Sequence, residues 1–259
     1  MLSISNTGMV PLSLFRRIAI CAAASCLASL PAAADEVRYT GPLTVKAVDE
    51  FIRSNDDKPV TQLSISSLGG ILDAGIKLGR WVRQKHADVR VNFFCASACA
   101  NYVFAAGRHK IIAPDSVVMW HGGVQAWEFT EVLDEYRKQV ALAMRPDPDP
   151  YARFAVAALR RYSTVADVRD LETAYFKEIG FDGALVLLGA QPVHYDTEWW
   201  TATVGVMEKY GLEDIEAPAD YGTPAYLNRS IFRRMLFKNA RVTFELGPDG
   251  AVVATPVDR

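Results

Sequence analysis

Ser97 and His121 are the two side chains in this sequence whose types and surroundings could do chemistry together. Ser97 stands in FFCASACANYVFAAG, residues 93–107, where an apolar strand-like run meets small residues and then a helix-like segment, 98–106, closed by Gly107. A serine hydroxyl is a poor nucleophile until a base takes its proton, and imidazole is the usual base. Of the four histidines, His86 falls at the charged end of a helical pattern, His109 in a basic turn and His194 in a polar loop. His121 alone follows an apolar strand-like run and precedes Gly122-Gly123, where a sheet edge opens into a loop. Attack on a carbonyl also needs donors for the developing oxyanion. A glycine turn and the first turn of a helix supply backbone N–H groups, with the helix dipole adding positive potential. The natural pair is Gly70 N–H, in SSLGG (residues 66–70), and Ala98 N–H.

Each of these pieces has an ordinary reading when taken singly. Gly-Gly after a strand is a tight turn, a serine before a helix is an N-cap, and a histidine ending a strand is structural. Their order and spacing together point to a nucleophile, a base and an oxyanion hole. The small residues around Ser97 leave room for a substrate carbonyl.

Cys95 and Cys99 flank Ser97 at equal distance. A disulfide between them requires the backbone to bring their Cα atoms to roughly 4.4–6.8 Å; the alternative is two small buried thiols that merely pack beside the turn. Zinc lacks two further ligands here, and the spacing is one too long for a redox CxxC pair. No metal and no cofactor are called for.

The elements that must hold these residues alternate between strand and helix. Strand-like EVRYTGPL is followed by helical TVKAVDEFIRSN, with Val45, Val48 and Phe51 near helical spacing. VTQLSIS is the next strand, and ILDAGIKLGRWVRQKH an amphipathic helix with Leu72, Ile76, Gly79 and Val82 on one face. VRVNFF leads into Ser97, and RHKIIAP and SVVMWH form two further short strands around Pro114-Asp115. This alternation predicts an α/β fold with parallel pairing and crossover helices on the sheet faces. From residue 124 to 192 the pattern turns helical, with helices over 128–144 and 165–180 broken apart by PDPDP at 146–150. A helix-to-strand step follows over 201–215, and RVTFELGPDGAVVATP reads as a hairpin around Gly-Pro-Asp-Gly. The Asn228 sequon is read as chance.

The 259 residues, half of them hydrophobic, suffice for one large core plus an appendage. Arg16-Arg17, an apolar run over 18–30 and the small residues Ala32-Ala33-Ala34 have the order of an export signal peptide cleaved before Asp35. The run is short of the roughly 20 residues that span a bilayer. Acylation of Cys26 is the weaker reading, because Ala23-Ala24-Ser25 before it lacks a large aliphatic residue. Loss of Arg16 and Arg17 from the 28 basic residues leaves 26 against 30 acidic, a formal charge of −4. That charge argues against nucleic acid, and no basic amphipathic run argues for a membrane surface. The expected location is periplasmic or secreted, an oxidising setting that permits a disulfide.

The motifs taken together resemble the proteolytic subunit of the Clp protease and its relatives in the ClpP/crotonase superfamily, especially exported bacterial ClpP-like proteins. Ser67-Leu68-Gly69-Gly70 stands for the family's Ser-Pro-Gly-Gly turn, with Leu68 in place of proline. Ser97 falls on the nucleophile position, Ala106-Gly107 on the Ala-Gly, and Pro114-Asp115-Ser116 leads through Val118-Met119 to His121. The resemblance covers residues 37–123 well and 203–215 moderately. It implies a spiral of ββα units: residues 1–34 as signal peptide, 35–215 as the ClpP/crotonase-like domain with a helical insertion at about 124–192, and 216–259 as a C-terminal β-hairpin extension.

In the family an acid orients the histidine and precedes a helix ending in Tyr-Gly-Leu, here Tyr210-Gly211-Leu212. Counting back without gaps lands on Trp199, which cannot accept a proton; Asp196 and Glu198 stand nearby, Asp196 being favoured. The resemblance thus implies a serine peptidase working through an acyl-enzyme, with Ser97, His121 and Asp196 as its triad. The runner-up is an inactive ClpP-like scaffold. Acyl-CoA chemistry on the same fold is disfavoured by export, and a serine–lysine dyad has no well-placed lysine. A peptide or protein substrate and self-association are implied. An ATP-driven unfoldase is not, because the periplasm lacks ATP.

Overall fold

The computed structural model describes residues 35–126, 141–142, 145, 165–190, 199–229 and 240–257. The chain divides into two units, Met1–Ala33 and Ala34–Arg259, and all described residues belong to the second. The expected signal peptide, the helix over 128–144 apart from 141–142, and the acids Asp196 and Glu198 lie outside the described residues.

The expected strand–helix alternation is present. β1 (Glu36–Thr40), α1 (Val45–Arg53), β2 (Gln62–Ser67), α2 (Leu72–Gln84) and β3 (Asp88–Ala96) follow one another, with β1, β2 and β3 paired in parallel. Thr44 caps α1, its hydroxyl accepting from Ala47 N–H at 3.1 Å, and Val48 turns fully into the core. Leu72, Ile76 and Val82 of α2 are buried as their spacing predicts. Each such side chain contributes about 1.5–3 kcal/mol by leaving water. Gly79 on the same face is there for room, because a Cβ at that position would lie 2.2 Å from Tyr102 O and 2.1 Å from the Tyr175 hydroxyl.

Beyond β3 come a π-helix (Cys99–Phe104), β4 (Lys110–Ile112) and β5 (Val117–Met119). β3 serves both strands in turn: Val89 to Val91 pair with β4, then Phe94 to Ala96 pair with β5. The change falls at a bulge. Ile65 of β2 pairs with Val91, but Ser67, two residues on, pairs with Cys95, four residues on. Phe93, inside the bulge, has φ 69° and gives its N–H to the Ser116 hydroxyl at 2.9 Å. Bulges bend a strand and re-aim its end, and they cluster beside active sites. This one turns the end of β3 toward the end of β5.

Further along are α3 (Val165–Ile179), a 3₁₀ segment (Gly183–Ala190), β6 (Trp199–Ala202), α4 (Val204–Lys209), β7 (Ile215–Glu216), α5 (Pro224–Arg229), β8 (Ala240–Leu246) and β9 (Val252–Pro256). β7 extends the parallel sheet beyond β4. β6, β8 and β9 form a second sheet, in which β8 and β9 make the antiparallel hairpin foreseen around Gly-Pro-Asp-Gly. The two sheets meet at Trp120 and Trp200, which exchange both backbone hydrogen bonds at 2.9 Å and are both fully buried. The free edge of β5 is closed by side chains: Val118 N–H donates to the Tyr221 hydroxyl at 2.8 Å, and the Thr201 hydroxyl donates to Val118 O at 2.7 Å. The architecture is α/β, with a mainly parallel sheet and helices packed on it. Among the described residues no helix is long and apolar enough to cross a membrane.

Candidate active site

The end of β3, the start of the π-helix and the end of β5 converge on one point. Ala96 pairs with Met119, and Ser97 N–H donates to Met119 O at 3.0 Å. Two residues beyond Met119 the chain reaches His121. Ser97 Oγ and His121 Nε2 are 2.7 Å apart, hydrogen-bond distance for a nucleophile and its base. A sequence separation of 24 is therefore closed by a single strand pairing.

Ser97 occupies the left-handed region, at φ 54°. A residue with a Cβ pays roughly 1–2 kcal/mol for that conformation, and such strain gathers where a side chain must be presented at a sharp turn. Here it sits between a strand and a helix, the arrangement that exposes a nucleophile at the top of a sheet. The following segment is wound as a π-helix, a form that is rare overall and frequent at functional sites; the sequence foresaw only a helix over 98–106.

Cys95 and Cys99 are joined, with Cα atoms 5.2 Å apart, and both are fully buried. The bridge closes a five-residue ring with Ser97 at its centre. It ties the last turn of β3 to the first turn of the π-helix across the strained residue.

The glycine turn lies directly against Ser97. A Cβ on Gly69 (φ +91°) would stand 2.5 Å from Ala96 O, 2.7 Å from Ser97 Cβ and 2.9 Å from Ala98 N. Gly69 is thus required twice over, by its backbone angle and by the close approach of Ser97. Leu43 N–H donates to Gly69 O and Ile71 N–H donates to Leu43 O, both at 2.8 Å, which pins the turn on either side of Gly70. Neither Gly70 N–H nor Ala98 N–H has a hydrogen-bond partner among the described residues, so both remain available to an anion. Leu68, between Ser67 and Gly69, is 47 % exposed.

His121 has the Trp199 ring as its neighbour, centroids 4.5 Å apart and planes tilted by 45°. The register explains this. Trp120 and Trp200 form a doubly hydrogen-bonded antiparallel pair, so the next residues outward, His121 and Trp199, face each other as a non-hydrogen-bonded pair, where side chains come closest. Among the described residues no carboxylate bonds the His121 ring. Packed in this way, the imidazole is pushed down to about 4 by burial, which keeps it neutral at pH 7.

The structure therefore brings together Ser97, His121, the Gly69-Gly70 turn, Ala98 and the Cys95–Cys99 pair. Trp199, whose ring centroid lies 4.5 Å from that of His121, carries no acid. Of the other histidines among the described residues, His86 is exposed and His109 pairs with Glu216 at 3.3 Å; His194 lies outside them. No group of three or more His, Cys, Asp or Glu among the described residues could hold a metal ion.

Sequence reasoning missed one buried acid. Glu172, on α3, is fully buried behind the loop that follows His121. The signal was a charge on the apolar stripe Val168, Leu171, Tyr175, Phe176 and Ile179 of an otherwise amphipathic helix.

No protein-family model matches the chain, and no curated protein matches it.

Proposed function

We propose that this protein is an exported serine hydrolase of ClpP/crotonase-like architecture, a peptidase acting through an acyl-enzyme. The observation that carries the reading is the 2.7 Å contact between Ser97 Oγ and His121 Nε2, made by a serine held in a left-handed turn between a strand and a helix. In the reaction His121 Nε2 takes the Ser97 proton as Oγ attacks the substrate carbonyl. The oxyanion is received by Gly70 N–H and Ala98 N–H. His121 then gives its proton to the leaving amine, and water releases the acyl group by the same steps with the roles of leaving and attacking groups exchanged. Asp196 is the favoured orienting acid and Glu198 its alternative; without either the site works as a dyad. A peptide substrate, assembly into a homo-oligomer and a periplasmic or secreted location belong to the same reading.

A fluorophosphonate probe tests it. The mature protein should be labelled on Ser97, and Ser97→Ala and His121→Ala should abolish labelling. Folded wild-type protein that never labels overturns the hydrolase reading.

One observation favours a second reading, a catalytically silent scaffold: the indole of Trp199 stands against His121 where the resemblance puts an acid. Loss of the orienting acid costs serine proteases about 10⁴-fold in kcat. The labelling experiment separates the two readings.

A further inference from the structure

We propose that Glu172 is a positioning residue of the Ser97–His121 pair, a buried carboxylate that ties the loop following His121 to the π-helix following Ser97. The inference rests on the hydrolase reading for its catalytic consequence, and on geometry alone for the tie itself.

Three donors converge on Glu172. The Tyr102 hydroxyl donates to Oε1 at 2.5 Å, Val124 N–H to the same oxygen at 3.3 Å, and Gln125 N–H to Oε2 at 3.3 Å. Tyr102 lies in the π-helix, five residues after Ser97; Val124 and Gln125 follow His121 by three and four. The carboxylate therefore bonds both elements at once. Asn101 adds a second tie between them, its side-chain amide donating to Gly122 O at 3.2 Å.

The loop needs such a hold. His121 is followed by Gly122-Gly123, the pair with the greatest conformational freedom, and a Cβ on Gly123 would come within 2.8 Å of Glu172 Oε1. The glycine admits the carboxylate, and the carboxylate holds what the glycines leave loose. Taking an ionised group out of water is costly unless its oxygens are bonded. Glu172 is fully buried on the apolar face of α3, and burial raises its carboxyl above the usual range, opposed by the Tyr102 bond. A leucine would fill the same stripe without that cost, so the retained acid is best accounted for by its three bonds. On its other side Tyr102 is braced, its carbonyl accepting from the Tyr175 hydroxyl at 2.7 Å and its ring stacked on Phe176 at 5.9 Å.

Glu172→Gln on the full mature protein is the informative change. The amide oxygen keeps Tyr102 and Val124, while its NH₂ turns a donor toward Gln125 N–H. Displacing a catalytic group by about 1 Å costs about 10²-fold, so losing one of three bonds should lower the maximal fluorophosphonate labelling rate roughly 10-fold. The probe's half-saturating concentration should not change, because Glu172 touches no substrate. Amide exchange across residues 122–126, read by mass spectrometry, should quicken. Tyr102→Phe removes one donor, leaves the ring in place, and should lower the maximal rate in the same sense; it carries the test if the glutamine variant does not fold. Folded variants with wild-type maximal rate, or with the whole loss in half-saturation, overturn the proposal. Should wild-type protein not label at all, the hydrolase reading falls separately. The tie then stands if exchange over 122–126 quickens in the variants and falls if it does not.

Discussion

His121 and Trp199 face each other across an antiparallel step, ring centroids 4.5 Å apart, because Trp120 and Trp200 beside them are locked in a hydrogen-bonded pair. The indole takes water away from the imidazole without offering it a negative charge. Burial pushes the imidazole from an ordinary 6.5 down to about 4. A base must be neutral to accept a proton, so the acid limb of Ser97 acylation should have its midpoint near 4, measured as labelling rate against pH. The same shift weakens the base, so the plateau rate should be modest. A limb at 6.5 or above would mean that a carboxylate, Asp196 or Glu198, engages the ring.

The shift carries a consequence for stability whose sign is fixed. The folded value lies below the unfolded one, so the unfolded chain binds the extra proton first as pH falls. The contribution is fully present above 6.5 and is lost progressively between 6.5 and about 4. Urea unfolding of wild type and His121→Asn at pH 7 and pH 4.5 checks this: the wild type should lose more stability over that interval than the variant.

Trp199→Ala should readmit water to the ring. The His121 value, followed by its imidazole NMR signals, should climb from about 4 back toward 6.5, while Trp199→Phe should leave it low. Equal titration in both variants would assign the depression to other neighbours.

The alternation of strands and helices was legible because it is local: period-2 and period-3.6 patterns mark β1 through β5 and their helices without reference to the rest of the chain. The pairing of Ser97 with His121 was expected from their residue types, their order and the resemblance, while the β3–β5 pairing that brings them together was not foreseen. What the sequence hid depends on distant partners. The switch of β3 from β4 to β5 rests on a bulge that places Phe93 at φ 69°, a conformation no propensity assigns to phenylalanine. The opposition of His121 and Trp199 follows from a bridge between residues 80 positions apart. Glu172 showed itself only as a charge on an apolar stripe, and its donors come from two other segments.

Ser97 is strained by its left-handed backbone, so removing its Cβ should relieve that strain while removing the proposed nucleophile. Ser97→Gly and Ser97→Ala both lose the hydroxyl and its bond to His121. They differ in the steric cost of φ 54°, about 1–2 kcal/mol, offset in part by the greater freedom of unfolded glycine. Chemical denaturation should rank Ser97→Gly as the more stable of the two, by on the order of 1 kcal/mol. The reverse order would mean that Ser97 is not strained in solution.

The Cys95–Cys99 bridge is the remaining constraint on that turn. Closing a five-residue ring removes about 2 kcal/mol of unfolded-chain entropy in the loop-closure account. Replacing both cysteines with alanine should therefore lower stability by about that amount. The same change should also slow Ser97 labelling more than it lowers the melting temperature would suggest, because the bridge spans the one residue whose backbone angle the chemistry needs. Both sulfurs are fully buried, so reductant added to the native protein should act slowly, and at the rate at which this turn opens. Mass spectrometry of alkylated protein, sampled over time in reductant alongside labelling rate, checks the coupling: free thiols and lost activity should appear together. Thiols that appear while labelling stays at the wild-type rate would show that the Gly69-Gly70 turn and the Met119 carbonyl hold Ser97 without help from the sulfur bridge.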